Sequence, residues 1–424
     1  MWMIGCSTPP VGTAVTCPDA SVQPLRAPLV CPTCDENARC VAGICACNTG
    51  YAGDGEVCSA VPRGMPRETV FRGGSYEVTL STDGNVIAMA GFGTTVVRRS
   101  SDGWGPPQTI DRANLAVFES SMALSADGGV LAVVRDERAF FCNASDSTIE
   151  IYARRGDTYE IDSRISPIGS GLVFTAPIAL SADGNTLAAV TYYTNRGDIG
   201  VRLYTRTEVG WEPLLLPDEA PSLPDDADRP PSSLALSAEG SRFAIPGRGN
   251  GAFTQVFTRV GNTWTEDTFV GGLQEGQDVA LNADGNVLVI GNTADRGTGL
   301  GVNGLEGEDD DNRGAAYVFE RRAEGWVRVV FLKAPEDHQE HFGGHVALSA
   351  DGQRVVVAAF GAVHIYRQDA SGWHLEGPTI AHGRSGPFAS DGFASTLSLS
   401  ADGNVLAGSA PLGHGTYVYE WSPR

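Results

Sequence analysis

Seven acidic residues, each followed directly by glycine, recur along the chain: Asp83, Asp127, Asp183, Glu239, Asp284, Asp351 and Asp402. A carboxylate repeated in one setting can gather a hard cation, take part in acid–base or nucleophilic chemistry, or close a backbone turn. Two further clusters carry the right residue types for a metal. The run Glu308, Asp309, Asp310, Asp311, Asn312 offers oxygen ligands for one calcium ion, weighed against the ordinary reading of a charge run as a solvated loop tip. His338, His341 and His345 are spaced three and four apart, as zinc ligands on a helix would be. Their segment, "DHQEHFGGHVAL", runs through two glycines into a strand, so the imidazoles need not converge. The chain has no Gly-x-Ser-x-Gly elbow, no His-Glu-x-x-His pair and no Gly-rich phosphate loop. Its one lysine, Lys333, leaves little room for lysine-dependent catalysis.

The elements that hold the seven residues are short strands. The phrase around Asp183, "ALSADGNTLAAV", alternates at strand period on both sides of a polar turn, and the other six copies do the same. Successive acidic residues lie 44, 56, 56, 45, 67 and 51 positions apart, the spacing of a supersecondary repeat with variable loops. Each unit also carries a second phrase, such as "VRLYTRTEVGWEPLLL" or "AYVFERRAEGWVRVVFL": a strand, a polar turn, then a strand opening on Trp or Tyr. Two phrases make four strands, the anatomy of a propeller blade. We therefore expect an all-β, seven-bladed β-propeller over residues 67–424, with almost no helix, as 53 Gly and 24 Pro also suggest.

The seventh unit stops at "GTYVYEWSPR", one strand short, while "RETVFRG" precedes the first unit. Residues 67–72 are expected to supply the missing outer strand and close the ring, which removes the exposed edges of an open array. Trp104, Trp211, Trp264, Trp326 and Trp373 recur at one blade position, which reads as packing between blades. The stretch "PDEAPSLPDDADRPP", 217–231, reads as a solvated connector.

The stretches "HFGGHVALSADGQRVVVAAFGAVHIYRQDASGWHLEG" and "GVNGLEGEDDDNRGAAYVFERRAEGWVRVVFLKAPEDHQEHFGGHVALSADG" resemble bacterial FG-GAP repeat proteins, relatives of the integrin alpha propeller. The resemblance covers roughly residues 67 to 424 and implies a seven-bladed propeller at the cell exterior, used for binding or adhesion. Some blades of that family carry a calcium loop of the form D-x-D-x-D-G-x-x-x-D. If the repeated acidic residue takes its fifth position, the first falls on Thr79, Ala123, Ala179, Ala235, Ala280, Ala347 and Ser398. The ninth falls on Ile87, Leu131, Leu187, Phe243, Leu288, Val355 and Leu406. One carboxylate remains where calcium requires several oxygens, so these turns cannot hold it in the integrin manner. Ser-Ala-Asp-Gly instead fits a type I turn, with Ser at the first corner, Asp at the third and Gly left-handed. A sialidase-type Asp box, Ser-x-Asp-x-Gly-x-x-Trp, fails because Asp and Gly are adjacent here.

Eight of nine cysteines fall in the first 58 residues, which points to a disulfide framework and an oxidising compartment. The stretch "CPTCDENARCVAGICACNTGYAGDGEVC", residues 31–58, resembles an EGF-like module. That resemblance implies the pairing Cys31–Cys40, Cys34–Cys45 and Cys47–Cys58; spacing alone leaves fifteen pairings, with Cys17 able to compete with Cys31. No calcium is expected in the module, because "APLV" stands where calcium-binding members carry acidic residues. Met3-Ile4-Gly5-Cys6 resembles the end of a bacterial lipobox, which implies lipid on Cys6, a longer signal peptide upstream and residues 1–30 as a tether. No run of 18 apolar residues is present for a membrane-spanning helix.

The formal charge of −21 opposes nucleic-acid and anionic-lipid binding. The expected function is a secreted or lipid-anchored, monomeric, non-catalytic surface protein that binds a protein or glycan through propeller loops, with no cofactor beyond the calcium candidate. A propeller hydrolase acting on glycans and a structural surface protein are the alternatives.

Overall fold

The structure, a computed structural model, describes residues 36, 38–41, 44–47, 51–53, 58–60, 66–72, 75–91, 93–111, 121–136, 147–168, 171–193, 199–214, 231–247, 254–261, 263–267, 277–304, 313–336, 341–381, 393–410 and 415–421. Seven antiparallel sheets account for nearly all of residues 67–420 so described. Blade 3 shows the plan: Leu172–Leu180, Thr186–Tyr193, Ile199–Thr207 and Gly210–Pro213, each paired with the next. The first strands of blades 1 to 7 are Ser75–Leu80, Met122–Leu124, Leu172–Leu180, Ala235–Leu236, Asp278–Leu281, Val346–Leu348 and Leu397–Leu399. Each touches the next and the last touches the first, so the sheets close into a ring around an axis lined by first strands.

Closure falls where the sequence places it. Arg67–Arg72 pairs with Gly415–Glu420 as the fourth strand of blade 7, register Arg72 to Gly415 and Arg67 to Glu420. Phe71 is thereby buried with Val78, Leu80, Val97, Trp104, Val405 and Val418. Blades 1 and 6 depart from the four-strand plan. In blade 1 the strand opening on the tryptophan is only Gly103–Trp104, because Pro106 and Pro107 cannot donate to a ladder, and Gln108–Asp111 resumes the pairing. Blade 6 has a similar fifth piece, Ile380–Ala381.

Apolar alternation has a simple outcome: the buried side chains form seven clusters, one at each joint between neighbouring blades. The aromatic that opens each fourth strand packs into the joint with the preceding blade, as Trp104, Tyr159, Trp264 and Trp326 do; Trp211 and Trp373 lie at the margins of theirs. Burying such a side chain contributes about 1.5–3 kcal/mol. Trp104, Trp264 and Trp326 are therefore packing residues.

Ahead of the ring, Ala38–Val41 pairs with Ile44–Cys47, which places Cys40 opposite Cys45, and Tyr51–Gly53 pairs with Cys58–Ala60. The cysteine side chains of 31–58, Cys6, Asp309, Asp310, Asp311 and His338 lie outside the described residues. No helix of the described residues is long and apolar enough to cross a membrane.

Candidate functional site

Antiparallel blades have two ends. Turns between strands 1 and 2 and between strands 3 and 4 fall at one end; connections from strand 2 to 3 and from strand 4 to the next blade fall at the other. We call these the turn end and the loop end.

The seven repeated phrases all lie at the turn end, and their polar groups are occupied locally. In blade 3 the Ser181 hydroxyl donates to Asp183 Oδ1 at 2.6 Å, the Asn185 N–H donates to the same oxygen at 3.0 Å, and the Asn185 amide donates to Oδ2 at 3.0 Å. Ser181 Oγ accepts the Thr186 N–H at 2.8 Å, and the Gly184 N–H closes the turn on the Ser181 carbonyl at 2.9 Å. The Ser-to-carboxylate bond recurs at Asp83, Asp127, Asp351 and Asp402. In blade 5 Asn282 replaces the serine and its Oδ1 accepts the N–H groups of Asn286 and Val287 near Asp284. In blade 4, where Glu239 takes the acidic place, Ser237 accepts the N–H groups of Ser241 and Arg242. The glycine φ lies between 62° and 75° in all seven copies, as the type I turn requires.

These hydrogen bonds show in the acidity of the carboxylates. Burial pushes the Asp183 carboxyl up, but the Ser181 hydroxyl and the Asn185 N–H outweigh it and hold the group below its ordinary value. At Asp127 the Gly129 N–H is the largest influence and acts in the same direction.

Beyond closing hairpins, the turns join one another. The N–H of Ala126 donates to the carbonyl of Ala182, Ala182 to Ala238, Ala238 to Ala283, Ala283 to Ala350, Ala350 to Ala401, Ala401 to Thr82, and Asp83 back to Ala126, at 2.7–3.1 Å. A closed belt of seven main-chain hydrogen bonds therefore encircles the axis. A second set runs one layer deeper. The residue six before the acidic one accepts a main-chain N–H from the next blade: Thr396 from Val78, Glu77 from Met122, Ser121 from Ile178, Ser233 from Val279 and Asp278 from Val346. Burial pushes the Glu77 carboxyl up to about 8 against the pull of the Met122 N–H and the Ser121 hydroxyl. Sequence reasoning missed this set, although a polar residue recurs at that place in six of seven otherwise apolar-flanked strands.

Arginines fasten the rim of the same end. Arg98 meets Asp157 of the next blade at 2.9 Å, Arg99 meets Glu420 at 2.7 Å, Arg206 meets Asp162 at 2.8 Å and Arg321 meets Asp267 at 2.9 Å, each pair crossing a joint. Arg354 donates to the Gly403 carbonyl and stacks over Trp421, 4.8 Å from its ring centre.

The loop end is built differently. In blade 5, residues 293–304 fold back on strand Gly325–Leu332: Val302 bridges Leu332, and Asn303 exchanges main-chain and side-chain hydrogen bonds with Phe331. Beneath it Lys333, 1% exposed, donates to Asp295 Oδ1 at 2.5 Å and lies 5.6 Å from the Phe331 ring centre, while the Tyr317 hydroxyl donates to Asp295 Oδ2. Burial pushes the Asp295 carboxyl up, and its bonds to Lys333 and Tyr317 bring it below the ordinary value. This ion pair is an anchor, with its ammonium buried against Asp295. His364 is also buried, pushed down to about 4 by that burial, and touches Thr379 and the Phe342 ring. Phe342 itself is fully buried and stands nine residues before Asp351, as Phe174 and Phe393 stand before their acidic residues.

Among the described residues three non-glycines adopt left-handed backbone, Asn303 (φ 48°), His341 (59°) and Ala394 (65°), and all three sit at the loop end of blades 5 to 7. Of the exposed apolar side chains, Ile168, Leu300 and Phe360 are at that end while Val209 and Val260 are at the turn end, and the His341 and Phe360 rings lie 6.1 Å apart. Of the histidine trio, His341 is exposed and His345 faces Asp278 at 3.4 Å; no group of three His, Cys, Asp or Glu placed for a metal occurs among the described residues. Glu77 and Asp278, the carboxylates of the inner strands, are each engaged by the next blade's main chain.

No family model matches the chain, and no curated protein does. Solved structures do. Hydrazine synthase of Kuenenia stuttgartiensis is similar at 15% identity, TM-score 0.52, over 83% of this chain and 96% of that one. The Cps50 (Swd1) β-propeller domain of Myceliophteria thermophila gives 14%, 0.53, 84% and 100%, and the RRP9 WD40 repeats give 14%, 0.53, 85% and 99%. At such identities the likeness concerns the fold: this chain is a seven-bladed β-propeller whose structural neighbours include WD40-type propellers.

Proposed function

We propose that this chain is a non-catalytic binding protein acting outside the cytoplasm, secreted or held by lipid on Cys6. In this reading it is a monomer that presents an EGF-like module, residues 31–58, and an FG-GAP-like propeller whose loop end recognises a protein or glycan partner. The observation that carries the reading is the division of labour between the two ends. Polar groups at the turn end are committed to belts and joints, whereas the loop end carries the varied connections and, among the described residues, the left-handed non-glycine residues. The cysteine-rich start supports the oxidising compartment. Propellers commonly serve as binding scaffolds.

The test is affinity capture from surface extracts with the full chain and with a variant in which residues 217–231 and 305–312 are replaced by Gly-Ser linkers. The reading expects a partner retained by the first and depleted by the second. Equal retention by both chains, or a partner lost only when turn-end residues are altered, would count against it.

A further inference from the structure

Two asparagine–glycine pairs stand in the chain, Asn250-Gly251 and Asn303-Gly304, and the second lies among the described residues. An asparagine in this setting can close on itself, because the next main-chain nitrogen can attack the side-chain amide and glycine has no side chain to obstruct it. We propose that Asn303-Gly304 is a self-modifying site, at which the folded chain converts the asparagine to aspartate and isoaspartate without an enzyme. The reaction needs only the chain and water. Solvent base takes the Gly304 amide proton, and the nitrogen bonds to Asn303 Cγ. The bond from Cγ to Nδ2 then breaks, and ammonia leaves with a proton returned from solvent, which closes a five-membered succinimide. Water opens either ring carbonyl: one opening gives aspartate, the other isoaspartate, whose main chain runs through Cβ.

Three features set this pair apart. Phe331 presents its N–H to Asn303 Oδ1 at 3.0 Å, so the oxygen that gains charge when Cγ is attacked already faces a donor. The Gly304 N–H and the Asn303 side-chain nitrogen, nucleophile and leaving group, have no hydrogen-bond partner among the described residues. Asn303 is exposed, which admits base and water. The seven acidic turns show the opposite arrangement, although an aspartate before glycine can form the same ring. There each glycine N–H donates to the carbonyl three residues before it, at 2.8–3.0 Å, and an ionised carboxylate is a poor electrophile. The other described asparagines, Asn85, Asn185, Asn282, Asn286, Asn292 and Asn404, precede Val, Thr or Ala, whose side chains crowd the attacking nitrogen. Packing requires the glycine at 304, since an added Cβ would lie 2.6 Å from the Leu300 nitrogen. The products differ in effect. Aspartate keeps an oxygen for the Phe331 N–H. Isoaspartate lengthens the main chain by a methylene, which relieves the left-handed φ of 48° and draws the Asn303 N–H from the Phe331 carbonyl, loosening the segment that covers Lys333 and Asp295. Either product adds a negative charge at the loop end, and neither requires the partner of the binding reading.

The experiment incubates the full chain between pH 7 and pH 9, with circular dichroism showing that it stays folded. Tryptic peptide 297–313, cut at Arg296 and Arg313, is then examined by mass spectrometry for the gain of an amide-to-acid conversion, with fragmentation separating Asn303 from Asn312, and for isoaspartate. The proposal expects Asn303 to convert at least as fast in the folded chain as in a synthetic peptide of the same sequence. The rate should rise about tenfold per pH unit as hydroxide takes the amide proton, while Asp183 gains no isoaspartate over the same time. Asn303→Gln, which would need a six-membered ring, should leave position 303 unmodified. Slower conversion in the folded chain than in the peptide, a rate independent of pH, or isoaspartate at Asp183 as fast as at Asn303 would overturn it.

Discussion

The two ends of the propeller use the same residue types for opposite purposes. At the turn end a carboxylate such as Asp183 is enclosed by its own serine, its own main chain and an asparagine amide, and the turn that it shapes is tied to the turns of both neighbours. At the loop end the carboxylate of Asp295 is also enclosed, yet the structure it anchors presents Leu300 and Asn303 outward. Repetition marks the end that holds the ring together, and in the proposed reading departure from repetition marks the end available for recognition. Each prediction below tries to separate the two.

The largest effect should come from opening the ring. Deleting residues 67–72 unpairs Gly415–Glu420 and removes Phe71 from the joint between blades 7 and 1, and the loss of that ring alone costs about 3–5 kcal/mol. Circular dichroism melts should show collapse of the cooperative transition; an unchanged melting temperature would mean that the belts do not depend on closure.

Next in size is the anchor beneath the loop end. Lys333→Ala leaves Asp295 in a half-buried site without its cation and should destabilise by about 3–5 kcal/mol in urea unfolding. Lys333→Met, which restores the volume, should cost about the same if the unpaired carboxylate is what matters. A loss below about 1 kcal/mol in both variants would show that the pair anchors nothing.

A paired glycine experiment compares two turns at the same end. At Gly128, φ is +62° and an added Cβ would lie 2.4 Å from Val86 of the preceding blade; at Gly156, φ is +63° and nothing lies within 4 Å. Both alanine variants carry the backbone cost of about 1 kcal/mol. Gly128→Ala should add about 1–3 kcal/mol of overpacking, which makes it the worse of the two. Equal losses would mean that the belt tolerates the spreading of a joint.

A smaller effect tests the deeper set of bonds. With its folded value raised to about 8, Glu77 binds more proton in the folded state than in the unfolded one. Its contribution is therefore greatest below the ordinary glutamate value near 4.5 and is lost as pH rises towards 8. Glu77→Gln, which mimics the protonated form, should be less sensitive to that rise in urea unfolding at pH 5 and 8.5. The same decline in both proteins would place the carboxylate elsewhere in the energetics.

Much of the ring was legible in the sequence because its physics is local and repeated. Asp183 and its six counterparts could be assigned to turns because Ala179 and Leu187 stand where a cation would need oxygen. The closing strand could be placed from a missing fourth strand and a spare one. The belts were not legible: Ala126 bonding to Ala182 depends on how neighbouring turns meet, and alanine carries no sign of it. Lys333 shows the same limit, since a single lysine in a sequence says nothing of the aspartate that folding brings to it. Phe174, Phe342 and Phe393 did leave a mark, a constant distance of nine residues to the turn.

The central claim, recognition at the loop end with fastening at the turn end, is tested most directly by a photo-crosslinking amino acid placed in the full chain at Phe360 or, separately, at Val209. Both side chains are exposed, so either variant should fold. On exposure to surface extract, the account predicts a discrete covalent adduct from Phe360 and none from Val209. An adduct from Val209 alone, equal adducts from both positions, or none from either would contradict it.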